Sequence, residues 1–314
     1  LAVDGESTEG WDLKDAIGVI RGELGTTVRL RVLHEGEDEP VDVVIERGVI
    51  KIESVVGDTR NKDGSWNYTL AENPEYAYIR IVNFGKNTAD ELASALKQVQ
   101  EDGAKGLILD VRGNPGGLLN VAVDMCDMFV DDGVIVSTRG RGGKLQYAYY
   151  ATNRATIVRK DLPIAVLVDE ASASASEIFA ACLQDYHRAV VIGERTWGKG
   201  TVQNITQPEG GRSELKLPGA TYWRPSEKNI HRLNEDRDDE SGEWGVRPNP
   251  GMEVEMDDEE VRKLYRWMRE HGTIPNGNGS TNGNDEGPTE PRPDPVLKRA
   301  LKYLDAKTKP KAAA

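Results

Sequence analysis

The sequence holds no apolar run near the roughly 18 residues that a membrane-crossing helix needs. It has no Cys/His cluster at metal-ligand spacing, so no metal is expected. Its two cysteines, Cys126 and Cys182, fall on separate predicted helices. Two cysteines cannot specify a disulfide framework, and both are expected to be buried free thiols. The four histidines, His34, His187, His231 and His271, are scattered, and none stands beside a serine or cysteine in a recognisable motif. Sequence order therefore gives no support to a Ser-His-Asp triad. Positive charge is in deficit: 40 Lys and Arg against 53 Asp and Glu leave a net charge of −13, with no basic stripe to offset it. Nucleic acid is excluded as an expected partner on that ground. None of the glycine-rich stretches continues into Lys-Ser/Thr, which excludes a P-loop. The N-terminal Leu1-Ala-Val-Asp-Gly5 has neither Met nor a basic-then-apolar leader, so the numbering is expected to begin inside a longer precursor.

What is present describes a soluble globular chain. Hydrophobic residues make up 38% and charged residues 30%, and 314 residues allow two domains or one large core with appendages. Asp12 to Ile20 predicts a short helix, and Val28–Leu33 and Val41–Ile45 predict a hairpin. The stretch from 49 to about 75 gives no clear pattern. After it, strands (Glu75–Phe84, Gly106–Val111, Leu162–Val168, Ala189–Gly193) alternate with helices (Thr88–Glu101, Leu118–Phe129, Ile178–Tyr186). Several strands are apolar on both faces. That pattern predicts an α/β core with substantially parallel pairing. Thr88 and Glu91 fit a capping box at the start of the first of these helices. Val134–Ala151 predicts a polar hairpin, Asn234–Gly242 a charged loop and Asp257–His271 a helix. Asn276–Pro295 is rich in Gly, Asn, Pro and Asp and is expected to be a flexible linker. A short helix over Pro295–Leu304 and disorder from Lys307 complete the expectation.

Three stretches carry chemistry. Asp110-Val-Arg-Gly-Asn-Pro-Gly-Gly117 follows an apolar strand and opens a helix. Gly116 and Gly117 can present backbone N–H groups where a side chain would block approach, although Asn-Pro-Gly-Gly is equally good turn chemistry. Ala171-Ser-Ala-Ser-Ala-Ser-Glu177 sits between a strand and a helix, where free N–H groups and the dipole favour an anion. A nucleophile belongs there, yet Ser174-Ala-Ser-Glu177 also fits a capping box that needs no catalysis. In Gly193-Glu-Arg-Thr-Trp-Gly-Lys-Gly-Thr-Val-Gln203, Lys199 lies between two glycines. A lysine acts as general base only when its pKa falls from about 10.4 to near 7 or 8, and desolvation is the lever. Lys199 would therefore have to be largely buried, with Trp197 helping to exclude water. Gln203, four residues on, can orient an amine without stabilising its charged form.

In this order the three motifs resemble the S41 family of serine proteases, the carboxyl-terminal processing or tail-specific proteases. The stretch from Ser172 to Gln203, with Phe179-Ala-Ala and Gln184-Asp-Tyr186, is especially similar to the tail-specific branch. Leu217-Pro-Gly-Ala-Thr-Tyr-Trp-Arg-Pro-Ser226 and Gly245-Val-Arg-Pro248 resemble the family's later strand pair, separated here by an acidic insert from about Asn229 to Glu243. Leu1–Ser7, Ile20–Leu30 and Val43–Arg47 resemble the second half of the family's PDZ domain. The resemblance implies a mixed α/β, crotonase-like or ClpP-like protease core over 49–255. It also implies a partial PDZ domain over 1–48, a helix over 256–275 and a linker with a terminal helix over 276–314. It implies a serine endopeptidase with a Ser-Lys dyad and no cofactor. The family's nucleophile is the serine followed by Ala-Ser-Glu, with the lysine 25 residues on, which only Ser174 and Lys199 satisfy. The assisting glutamine maps to Gln203, and the oxyanion donors map to the backbone N–H groups of Ala175, Gly116 and Gly117. Glu177 and Thr196 are expected as supporting residues. The substrates implied are unfolded or C-terminally apolar proteins, handled outside the cytoplasm by a chain that is expected to form a homo-oligomer or use an adaptor. A non-catalytic PDZ-type scaffold and a crotonase-type acyl-CoA enzyme are the alternatives.

Overall fold

The structure is a computed structural model. It describes residues 1–34, 37–49, 53–153, 155–206, 215–233, 242–270 and 292–309. The chain divides into two compact units, Leu1–Ile52 and Glu53–Ala314. In the first, strands β1 (Ala2–Val3) and β2 (Glu6–Ser7) precede helix α1 (Leu13–Ile20), and β3 (Thr27–Val32) and β4 (Val41–Glu46) follow it. The strands form one antiparallel sheet in the order β2-β1-β3-β4. Asp12 and Asp15 close a reciprocal capping box on α1, each carboxylate accepting the other's N–H. The Val-Arg-Leu-Arg-Val alternation of β3 buries Val28 and leaves Arg29 and Arg31 in solvent. Arg47 ties the helix end to the sheet by donating to the carbonyls of Ile20 and Thr27, both at 2.8 Å. Val3 and Val28 are the only buried hydrophobic side chains of this unit among the described residues.

The second unit begins with β5 (Val55–Val56) and a small hairpin, β6 (Thr59–Arg60) with β7 (Trp66–Asn67), in the stretch that gave no sequence pattern. Strand β8 (Tyr76–Ile81), helix α2 (Thr88–Glu101), strand β9 (Gly106–Asp110) and helix α3 (Leu119–Asp127) come next. They lead to the hairpin β10 (Val134–Arg139) and β11 (Leu145–Tyr150). Strand β12 (Ile164–Val168), helix α4 (Ala175–Asp185) and strand β13 (Val190–Gly193) complete the alternating core. After them come β14 (Thr201–Thr206), β15 (Leu215–Trp223), α5 (Asp258–Glu270) and α6 (Pro295–Thr308). The central sheet has the order β13-β12-β9-β8-β5, parallel except for β5. A second, antiparallel sheet runs β11-β10-β15-β14.

The fully buried strands β8, β9 and β12 show why the core is layered. Their odd and even residues face opposite sides. Ile79, Ile81, Leu107, Leu109, Ile164 and Val166 join α2, α3 and α4 in one core. Tyr76, Tyr78, Ile108, Ala165 and Leu167 join Val296, Leu297, Ala300 and Leu304 of α6 in another. A parallel sheet covered on both faces is the arrangement that near-continuous apolar strands require.

Three expectations need correction. Thr88 does not cap α2 with Glu91. Asn87 takes the cap position, Thr88 Oγ1 accepts from the Gly85 N–H, and Glu91 instead accepts the N–H groups of Ser54 and Val55. A long-range partner outcompeted the local one. The terminal helix runs to Thr308, beyond Leu304, and so takes in the start of the expected disorder. Arg292 and Asp294, placed in a linker by composition, are buried. Residues 276–291 of that linker, most of the charged loop and residues 310–314 lie outside the described residues. No described helix is long and apolar enough to cross a membrane. Cys126 and Cys182 are buried free thiols, as the sequence led us to expect.

Candidate active site

Ser174 stands at the N-cap of α4, with φ +58° and ψ −112°. A non-glycine residue in that region carries about 1–3 kcal/mol of strain and persists only where its surroundings hold it. The holding contacts are visible. The Ser174 N–H donates to Glu177 Oε2 at 2.7 Å, and the Ser174 carbonyl accepts the Glu177 and Ile178 N–H groups. The flanking serines are occupied otherwise. Ser172 Oγ is buried 2.8 Å from the Val111 carbonyl, and Ser176 Oγ is buried and donates to the Asn114 carbonyl at 2.9 Å. Ser174 alone of the three is half-exposed, at a helix start whose first N–H groups have no intrahelical acceptor.

The Gly113–Gly117 loop packs directly beneath it. The Asn114 carbonyl accepts the Ala173 N–H at 3.0 Å, and Asn114 Nδ2 donates to the Ile81 carbonyl at 2.8 Å. A Cβ on Gly116 would stand 2.6 Å from the Ala173 carbonyl oxygen, 2.8 Å from Ser174 Cβ and 2.9 Å from the Ala175 nitrogen. Glycine at 116 is a requirement of that approach. Asn114 Oδ1 accepts the Gly116 N–H at 2.9 Å, so this expected oxyanion donor is already engaged. The Gly117 N–H differs. The bridge to Phe84 uses the Gly116 carbonyl and the Leu118 N–H and leaves Gly117 out of it. Ala175 N–H, at the first position of α4, is the other donor left without an intrahelical partner.

Glu177 is the hub of the site. Its carboxylate is buried and accepts four donors: the N–H groups of Ser174 (2.7 Å), Lys199 (2.8 Å) and Gly198 (2.7 Å), and the hydroxyl of Thr196 (2.6 Å). Oε2 receives both the Ser174 and the Lys199 N–H. One oxygen therefore ties the serine loop to the lysine loop. Burial pushes the Glu177 carboxyl above its ordinary value, opposed by the hydrogen bonds from Thr196 and the three backbone groups. Thr196 Oγ1 in turn accepts the Val246 N–H at 2.8 Å, which brings the Gly245–Pro248 segment to the same point.

Two features depart from expectation. Lys199 is exposed, not buried, and Trp197 is 60% exposed, so it does not shield the amine. The buried tryptophan of this region is Trp244, which stacks under the guanidiniums of Arg195 and Arg232. The Trp197 N–H reaches the Ser172 carbonyl, which fixes the backbone while the ring points to solvent. Gln203 lies on β14 opposite Pro218, at a register shift, and its side chain is outside the described residues. Asn114 and Asp169 were not singled out from the sequence. Asp169 Oδ1 accepts the Gly113 and Ala171 N–H groups at 2.9 and 3.1 Å, joining both loops. Its signal was its position, directly after an apolar strand and before small residues, where an Asx turn forms. No cluster of metal-ligating side chains exists among the described residues.

Comparison with known proteins places this chain among peptidases. Residues 75–240 match the model of peptidase family S41. The chain is 33% identical over 306 residues to a carboxy-terminal-processing protease of Bartonella bacilliformis, covering 96% of this chain and 65% of that protein. It is 35% identical over 233 residues to a carboxyl-terminal-processing protease of Synechocystis, covering 74% of this chain and 52% of that one. The chain thus spans roughly half to two thirds of these relatives. Among solved structures, a photosystem II D1 C-terminal processing protease superposes with TM-score 0.52 at 27% identity, over 86% of this chain and 66% of that one.

Proposed function

The chain belongs to peptidase family S41, and from that premise we propose that it is a serine endopeptidase that cleaves proteins at or near their C-termini, with Ser174 as nucleophile and Lys199 as general base. The observation that carries the reading is the shared Glu177 oxygen, which binds the backbones of Ser174 and Lys199 together. In the proposed step, neutral Lys199 Nζ takes the proton as Ser174 Oγ bonds to the scissile carbonyl carbon. The oxyanion is met by the Ala175 and Gly117 N–H groups. Collapse breaks the C–N bond, Lys199 returns the proton to the leaving amine, and water then cleaves the acyl-serine. Gln203, four residues beyond the base, is proposed to orient it. Lys199 is exposed in the structure, and in the proposed step the bound substrate lies over it.

The substrates we propose are unfolded or C-terminally apolar proteins met outside the cytoplasm, the setting of the family. The Leu1–Ile52 unit, proposed as part of a PDZ domain, would contribute to their capture. A self-associating chain or an adaptor partner belongs to the same proposal. Membership of a peptidase family leaves the acyl-CoA and scaffold alternatives without support. The test uses an unfolded protein ending in apolar residues, with the chain, Ser174→Ala and Lys199→Ala side by side. Cleavage should vanish in both variants. Undiminished cleavage by either variant would refute the assignment.

A further inference from the structure

Residues 292–309 do more than add a helix to the core. Asp294 is 1% exposed and serves two partners at once. It caps α6 by accepting the Leu297 N–H at 2.8 Å. It also receives a bidentate pair from Arg112, Nη1 to Oδ1 at 2.9 Å and Nη2 to Oδ2 at 2.7 Å. The other edge of the Arg112 guanidinium is held by Asp110, with Nε 3.0 Å from Oδ1 and Nη2 2.7 Å from Oδ2. Arg112 thus lies between two buried carboxylates, one from the core and one from the C-terminal segment. Two carboxylates for one guanidinium place a net negative charge in the interior, offset by Arg80, which reaches Asp110 at 3.5 Å and donates to the Arg112 carbonyl at 2.9 Å. Tyr78 donates its hydroxyl to Asp110 at 2.7 Å. The neighbouring Arg292 is buried and paired with Asp58, so the segment is pinned at two points before α6 begins.

Arg112 is the residue from which the Gly113–Gly117 loop leaves the sheet. The next residues along the backbone bind Asp169 through the Gly113 N–H and Ala173 through the Asn114 carbonyl. Ser174 follows Ala173. A displacement at Arg112 therefore reaches the nucleophile through one short covalent stretch and two hydrogen bonds. A charged bidentate pair fixes angle as well as distance, which a packed apolar residue at 294 would not do.

We propose that Asp294 is a positioning residue of the site: through Arg112 it sets the register of the Gly113–Gly117 loop against Ser174, so that the C-terminal segment is a working part of the catalytic centre. The inference rests on the endopeptidase reading above. It makes the 292–309 segment necessary for turnover even though no residue of it meets the reacting atoms.

The experiment uses the full chain with Asp294→Asn and Asp294→Ser, both of which retain a good helix cap. Active sites are counted with a serine-reactive fluorophosphonate, and kcat and KM are taken per labelled site on the apolar-tailed substrate. Ser174→Ala runs alongside. The expected result is a fall in kcat of at least about tenfold in both variants with KM unchanged, since misplacements near 1 Å far from the chemistry reach about 100-fold. Wild-type kcat per labelled site in both variants overturns the positioning role. A loss explained wholly by fewer labelled sites also overturns it, because that is what a stability role alone would give. Persistent cleavage by Ser174→Ala removes the parent reading, and this inference falls with it.

Discussion

Replacing Glu177 with glutamine should damage the site without changing its volume. The carboxylate accepts four donors, two at each oxygen. A glutamine has one acceptor end and one donor end. With its oxygen in the place of Oε2, it keeps the Ser174 and Lys199 N–H groups but turns an NH2 against the Gly198 N–H. Turned over, it faces both Ser174 and Lys199 with the wrong polarity. At least one buried backbone donor is left without an acceptor, worth about 1–3 kcal/mol, and each surviving bond drops from about 1.5–3 to about 0.5–1.5 kcal/mol. Relief of the desolvation that raises the Glu177 carboxyl offsets part of this. The net loss is about 2–4 kcal/mol, against a total stability of about 5–15. The variant should therefore fold, with Tm lower by about 4–16 °C for a unit of this size. The Ser174 backbone conformation would lose its anchor, and kcat should fall about 100-fold. Calorimetry and the apolar-tail cleavage assay on one preparation give both numbers. A Glu177→Gln variant with parental Tm and kcat would show that the shared oxygen is not what holds the two loops.

Two further outcomes follow from the buried groups. Burial alone would raise the Asp110 carboxyl, but the Arg112 and Arg80 guanidiniums and the Tyr78 hydroxyl hold it well below the ordinary carboxylate range. A depressed folded-state pKa contributes stability that is present above the unfolded value near 3.9 and is lost as pH falls below it. Asp110→Asn should thus cost about 3–5 kcal/mol at pH 7, the scale for breaking a buried pair, and the gap to the parent should narrow below about pH 4; denaturant titrations giving a constant gap would contradict this. Gly116→Ala should lower kcat by about 100-fold or more, because the new methyl meets the Ala173 carbonyl, Ser174 and Ala175 well inside contact distance. Cleavage by that variant at the parental rate would show that the loop yields freely.

The core was legible because its signal is local. Gly106–Asp110 and Ile164–Val168 are apolar at every position or nearly so, and only a sheet covered on both faces can use such runs. The helix starts were less legible. Thr88 and Glu91 have capping-box spacing, yet Ser54 and Val55 claim Glu91 from a strand 30 or more residues away. Nothing in the spacing of Thr88 and Glu91 reports such a competitor. The C-terminal segment shows the same limit from the other side. Composition placed Arg292 and Asp294 in a linker, and only Asp58 and Arg112, more than 180 residues earlier, explain why both are buried. The helix start expected at Pro295 is where the structure has it, with Asp294 as its cap, but a cap signal says nothing of burial.

At the site, sequence spacing identified the residue types but not their surroundings. Ser174 and Glu177 are three residues apart on one helix start, so their hydrogen bond follows from α-helical geometry. That the same carboxylate also takes the Lys199 N–H depends on where β13 delivers the next loop, which periodicity does not encode. The exposure of Lys199 is the larger surprise. Its backbone is fixed by the buried Glu177 carboxylate, while its side chain is exposed. The two halves of the proposed dyad are thus prepared to different degrees. The serine is strained, anchored and set on helix N–H groups before substrate arrives. The lysine side chain is left open to solvent, where a bound substrate would cover it. In the proposed mechanism an apolar substrate tail would exclude water there, so one contact would both recognise the substrate and complete the site. If apolar C-termini are the substrates, as proposed, recognition and completion of the site are one physical event, and a polar tail of equal length should be cleaved more slowly through kcat and not only through KM.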